Sequence, residues 1–125
     1  MFCIPIIARN TEEALIKIAS ANTMADMLEI RLDGMEGFNL QKIIKSTSKP
    51  VLVTYRSMTE GGKGNLDHQI HAEYIITAIQ EGAGLVDVEL NLPLKWRKKI
   101  FDARERAGIV ISRHISEGTP SRDEL

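Results

Sequence analysis

Five short apolar stretches punctuate the chain: Phe2 to Ile7, Met27 to Leu32, Val51 to Tyr55, Leu85 to Leu90 and Ile109 to Ser112. Between them lie segments whose apolar residues recur at helical spacing. That alternation is the sequence form of successive βαβ units and predicts a parallel sheet with a helix after each strand. The second stretch has a further property. Leu28, Ile30 and Leu32 fall on one face, and Glu29, Arg31 and Asp33 on the other. A strand covered by helices on both sides reads as a continuous apolar run, so charges at every second position must face something else. In a closed parallel barrel, one face of each strand packs on the helix ring and the other looks into the barrel. The predicted fold is therefore α/β, a parallel (β/α) barrel of the TIM type, truncated to about five βα units.

The helices are marked by their ends. Asn10 followed by Glu13 has the form of a cap whose N3 carboxylate answers the cap's own amide, with Ala14, Leu15, Ile18 and Ala19 as the apolar face. A second helix is predicted from Asn39 to Lys45 with Leu40, Ile43 and Ile44 facing in, stopped by Pro50. A third runs from Leu66 to Glu81 with a stripe of Ile70, Tyr74, Ala78 and Ile79, and Gly82 closes it. The fourth starts after Asn91 with Pro93 in its first turn and ends at Gly108. Thr119-Pro120-Ser121, with Glu124 three residues after the serine, has the form of another helix opening, and the sequence stops at Leu125. The expectation is a single incomplete domain over residues 1–125, either a fragment or a fold completed by another chain.

Composition narrows the function classes. A net charge of −1 with 26% charged residues provides no field for nucleic acid or an anionic membrane, so neither is expected as a partner. No apolar run reaches the roughly 20 residues of a membrane span, and the first residues lack a signal-peptide pattern. The single cysteine, Cys3, cannot pair internally and reads as a small core residue. A cytoplasmic location follows as the expectation.

In such barrels chemistry sits at the C-terminal ends of the strands. Polar residues there are Glu29, Arg31 and Asp33, then Thr54 and Arg56, Asp87 and Glu89, and Ser112 and His114. Each strand's set shares a parity. A lone glutamate or arginine at a strand end is commonly a solvated surface charge, and a lone terminal histidine a structural one. Inward-facing charges on adjacent strands instead need mutual pairing or a polar ligand, and among them His114 becomes a candidate proton-transfer group. Glu60-Gly61-Gly62-Lys63-Gly64 lacks the spacing and the Ser/Thr of a phosphate loop and reads as a mobile loop over the third strand. His68 and His71 could share a metal face with Asp67, yet no third ligand is evident, and the reading is a solvated helix start.

Four motifs in order carry a resemblance. Glu-Ile-Arg-Leu-Asp at 29–33, Thr-Tyr-Arg-Ser-Met-Thr-Glu-Gly-Gly at 54–62, Val-Asp-Val-Glu-Leu at 86–90, and Ser-Arg-His at 112–114 followed by Gly-Thr-Pro-Ser at 118–121 resemble type I 3-dehydroquinate dehydratase. The resemblance implies a βα barrel that removes water from 3-dehydroquinate to give 3-dehydroshikimate, with no metal and no cofactor. A lysine forms a Schiff base with the substrate ketone, and a histidine takes the adjacent proton and helps the hydroxyl leave. Carried over by motif, His114 is the acid/base. Glu29, Arg31 and Arg56 bind the hydroxyls and carboxylate, Glu60 orients or charge-tunes His114, and Asp87 supports the polar floor.

The departures matter as much. Ile115 and Ser116 stand where the family commonly has an acidic and an aromatic residue, and no lysine of this chain matches the Schiff-base motif, which belongs to a sixth strand. The isolated chain is expected to be inactive and to associate with itself through open sheet edges. The alternative is a non-catalytic truncated barrel acting as a polyhydroxy-acid binding or assembly module.

Overall fold

Every apolar stretch forms a strand in the computed structural model, which describes residues 1–65 and 67–113. The strands are β1 (Cys3–Ile6), β2 (Met27–Arg31), β3 (Val51–Thr54), β4 (Leu85–Glu89) and β5 (Gly108–Ser112). They form one parallel sheet in sequence order. Between them run α1 (Thr11–Ala21), α2 (Leu40–Lys45), α3 (His68–Gln80) and α4 (Leu94–Ala103).

The two faces of the sheet differ as the alternation predicts. Ile6, Leu28, Ile30, Val51, Val53, Val86 and Val88 form a core with Ala14 and Ile18 of α1, Leu40 and Ile43 of α2, Ala72, Ile75 and Ala78 of α3, and Ile100 of α4. The register sets the rows of the opposite, open face. Pro5 lies beside Glu29, Glu29 beside Leu52, Leu52 beside Leu85, and Leu85 beside Gly108. Nearer the C-terminal ends, Arg31 lies beside Thr54, Asp87 beside Val110, and Glu89 beside Ser112. Apart from Glu29, the lower row of the open face is uncharged, and the charges gather at its top.

Three caps work through side chains: Asn10 accepts from the Glu13 amide, Asn39 from the Lys42 amide, and Asp67 from the amides of Gln69 and Ile70. The Glu13 carboxylate does not return to Asn10. It accepts from the backbone and side chain of Arg9 instead. Gly82 takes φ +105 just past α3, the left-handed conformation the closing residue of a helix needs.

Other expectations are corrected. Pro93 caps α4 rather than lying inside it, and the helix stops at Ala103, where Glu105 adopts a left-handed φ of 49 and turns the chain. Gly108 opens β5. A Cβ there would lie 2.4 Å from Leu85 Cδ2, so the glycine answers a packing demand within the sheet. The buried stripe of α3 is His71, Ala72, Ile75, Ala78 and Ile79; Ala78 and Ile79 are as expected, whereas His71 and Ile75 take the places expected for Ile70 and Tyr74, which lie at its margin. Cys3 is exposed on the open face rather than in the core. Partial burial and the nearby Glu29 push its thiol pKa up. The helix opening at Thr119 lies outside the described residues. Among those described, no helix is long and apolar enough to cross a membrane.

Candidate active site

The charges at the strand ends meet at two junctions, one centred on a carboxylate and the other on a guanidinium. β2 ends at Arg31, and a single 3-10 turn, Leu32–Gly34, brings Asp33 back over it. The sequence reading carried Asp33 along the strand; in the fold it is the turn that aims the carboxylate. Arg31 Nε donates to Asp33 Oδ1 and Nη2 to Oδ2, both at 3.1 Å, the forked pairing a guanidinium favours. The same carboxylate accepts from the Arg56 amide and the Lys63 amide, each at 3.1 Å. One side chain thereby joins the end of β2, the segment after β3 and the glycine loop. Burial acts to raise the Asp33 pKa, but the Arg31 guanidinium and the two amides outweigh it and hold the carboxyl below the ordinary aspartate value.

Arg56 is the second junction, 7% exposed. Its Nη1 donates to Asp87 Oδ2 at 3.0 Å, Glu89 Oε2 at 3.1 Å and Ser112 Oγ at 2.9 Å. Ser112 Oγ in turn donates to Asp87 Oδ2 at 2.9 Å, and the Ser57 amide donates to Glu89 Oε2 at 3.0 Å. Strands β3, β4 and β5 are tied through one guanidinium nitrogen. Removing any one partner from such a buried cluster leaves the others uncompensated. Among the described residues, Arg56 Nε and Nη2 make no hydrogen bond, so they keep donors for a ligand. Glu29, in the row below, accepts from Thr54 Oγ1 at 2.7 Å and is half-buried on the open face.

Comparison with known proteins gives this geometry a context. A model of the family described as Type I 3-dehydroquinase matches residues 2–125. The chain belongs to the type I 3-dehydroquinase family. It is similar to the 3-dehydroquinate dehydratase of Methanococcus vannielii, 34% identical across the whole chain and 58% of that protein. It is also similar to the chloroplastic bifunctional 3-dehydroquinate dehydratase/shikimate dehydrogenase of Arabidopsis thaliana, 32% identical across the whole chain and 22% of that protein. Among solved structures, the 3-dehydroquinate dehydratase of Enterococcus faecalis superposes with a TM-score of 0.84 at 26% identity, covering 98% of this chain and 57% of that one. The type I 3-dehydroquinate dehydratase of Clostridium difficile shares the fold, with a TM-score of 0.83 at 22% identity, covering 98% and 54%. The chain thus spans well under two thirds of these relatives.

Within this type I 3-dehydroquinase chain, the structure brings Arg31, Arg56 and Asp87 to one end of the sheet with Glu29 a row below. Glu60 is 3% exposed in the 3-10 turn Met58–Glu60 and accepts from Asn91 Nδ2 at 3.0 Å. His114 lies outside the described residues. Among those described, no group of three or more His, Cys, Asp or Glu side chains could hold a metal. The two α3 histidines part company: His68 is exposed and His71 is buried, which corrects the reading of both as a solvated helix start.

The glycine loop is tied down at every amide, contrary to the expected mobile loop. Gly61 N bonds Met58 O, Gly62 N bonds Ser57 O, Lys63 N bonds Asp33, and Gly64 N bonds Arg56 O. No amide is left to cradle a phosphate. The glycines serve close approach instead, since a Cβ on Gly62 would lie 2.2 Å from Arg56 O and 2.5 Å from Arg56 Cβ. Gly62→Ala is expected to destabilise the chain by about 1–3 kcal/mol through this overlap. Gly37→Ala, whose Cβ meets nothing within 4 Å, is the control expected to leave stability unchanged. Parallel urea titrations check both.

Proposed function

We propose that this chain contributes the substrate-holding part of a 3-dehydroquinate dehydratase site, for the hydro-lyase that converts 3-dehydroquinate to 3-dehydroshikimate in the shikimate pathway. The observation that carries the reading is the convergence of β2–β5 on Arg56 and Asp33 at one end of the sheet, in a chain of this family. Glu29 accepts from substrate hydroxyls, while Arg31 and the remaining donors of Arg56 address the carboxylate. Asp87 and Glu89 fix the guanidinium. Glu60 and Asn91 support the neighbouring wall. His114 removes the proton adjacent to the Schiff base and helps the hydroxyl leave.

Charge balance supports the need for a further group. Among the described residues, Arg31 and Arg56 stand among the carboxylates of Glu29, Asp33, Asp87 and Glu89, a negative surplus in a partly buried place. Such a place favours a cation, and the protonated imine that a neutral lysine amine forms with a ketone is one. No lysine of this sequence matches the family's motif for it. The second reading, a binding or assembly module without catalysis, is favoured by the Arg56 clamp, whose partners Asp87, Glu89 and Ser112 all belong to this chain. Self-association through β1 and β5 and a cytoplasmic location belong to this proposal.

Borohydride reduction in the presence of 3-dehydroquinate separates the readings. We expect no mass addition to the chain alone. A stable adduct would show that one of its own lysines forms the Schiff base and would overturn the division of labour proposed here.

A further inference from the structure

Behind the Arg56 clamp lies a cavity that the substrate-holding roles leave unused. It has a volume of about 260 Å³ and its wall includes Ser57, Thr59, His68, His71, Glu89 and Asn91. His71 is turned into the protein by α3 and is 2% exposed, with its ring edge-on to Tyr55 at a centroid distance of 5.0 Å. Its Nε2 is fully buried and has no hydrogen-bond partner among the described residues. Buried ring nitrogens are almost always satisfied, and an orphan beside a polar cavity points to bound water. Water needs space and two to four polar partners. The cavity gives the room, and Ser57, Glu89 and Asn91 share its wall.

The position of Glu89 gives that water a consequence. Its Oε2 already takes Arg56 Nη1 at 3.1 Å and the Ser57 amide at 3.0 Å. We propose that the cavity is a bound-water site through which His71 positions Glu89, and with it Arg56, so that the charge on the His71 imidazole tunes how tightly the open face holds an anionic polyhydroxy ligand. His71 is a positioning residue, since it acts on the clamp through that water and not on the ligand. The ligand's identity rests on the function proposed above; the water link does not.

The direction of the effect follows from the surroundings. Burial pushes the His71 pKa down, Glu89 and Asp87 on β4 pull it up, and His68 on its own helix and Arg56 beyond β3 push it down again, leaving it below the ordinary histidine value. The imidazole is neutral near pH 7 and gains charge only on the acid side. A protonated His71 competes with Arg56 for Glu89, loosening the clamp.

The test uses the full chain and two variants, His71→Gln, which keeps a hydrogen-bonding amide but does not titrate, and His71→Phe, which fills the space without one. In the wild type, NMR should show a long-lived water contact at the His71 ring and a Glu89 carboxyl carbon shift that follows the titration of His71. Calorimetry with 3-dehydroquinate should show affinity falling about tenfold across the His71 titration that NMR reports, on the acid side of the ordinary histidine range. His71→Gln should hold its affinity flat over that range, and His71→Phe should fold yet bind about tenfold more weakly at neutral pH. A Glu89 shift that ignores His71, or a His71→Gln pH profile equal to the wild type's, would overturn the proposal. If 3-dehydroquinate binds to none of the proteins, the substrate reading fails, and the water contact and the Glu89 shift alone decide the role of His71.

Discussion

Arg56→Ala is expected to lose about 3–5 kcal/mol of folding stability near neutral pH, the largest effect of any single substitution considered. The reason lies in what it leaves behind. Asp87 and Glu89, 4% and 2% exposed, would be left where no other described cation pairs with them. The Ser57 amide and Ser112 hydroxyl remain, but two neutral donors cannot offset two buried anions. Urea unfolding of wild type and variant at neutral pH checks this, and a loss below about 1 kcal/mol would mean that the two carboxylates do not depend on Arg56. Arg56→Lys keeps the charge without the fork and should fall between the two.

Asp33→Ala follows at about 3 kcal/mol, because its carboxylate satisfies four donors on three segments. Its removal frees the Arg31 guanidinium and strands the amides of Arg56 and Lys63, so the glycine loop should loosen as well. Amide hydrogen exchange at Lys63 and Gly64 reads that loosening directly. The pH dependence has a definite sign. Asp33 titrates lower in the folded chain than in the unfolded one, so its contribution is complete above the ordinary aspartate pKa. It is lost as pH falls through that value towards the depressed one. The stability difference between wild type and Asp33→Ala should therefore narrow in acid.

Much of the architecture was legible because it depends on periodicity. The alternation in Met27–Arg31 correctly separated the core residues Leu28 and Ile30 from Glu29 and Arg31, and one-residue parity extended to Thr54, Asp87, Glu89 and Ser112. The helix start at Asn10 was readable from capping chemistry, which is local, and that at Asn39 from the spacing of Leu40, Ile43 and Ile44. What the sequence hid was decided by contacts between distant residues. Gly108 looked like a helix terminator because nothing local reveals that Leu85 occupies the space a side chain would need. His71 looked solvated because a histidine near a helix start usually is, and only the turn of α3 against Tyr55 and β4 buries it. The α3 stripe was misplaced for the same reason: Ile70 and His71 are neighbours, and hydrophobicity alone favoured the isoleucine. The links from Asp33 to the amides of Arg56 and Lys63 had no sequence signature, since backbone donors carry no residue label, and the side-chain bond from Asn91 to Glu60 joins residues 31 positions apart.

Calorimetric titration of 3-dehydroquinate into the 125-residue chain tests most directly whether the charged end of the sheet is a polyhydroxy-carboxylate site. The account predicts saturable one-to-one binding that weakens about tenfold or more in Glu29→Gln and in Arg31→Ala. Binding untouched by both substitutions, or no heat from a folded wild type, would contradict it.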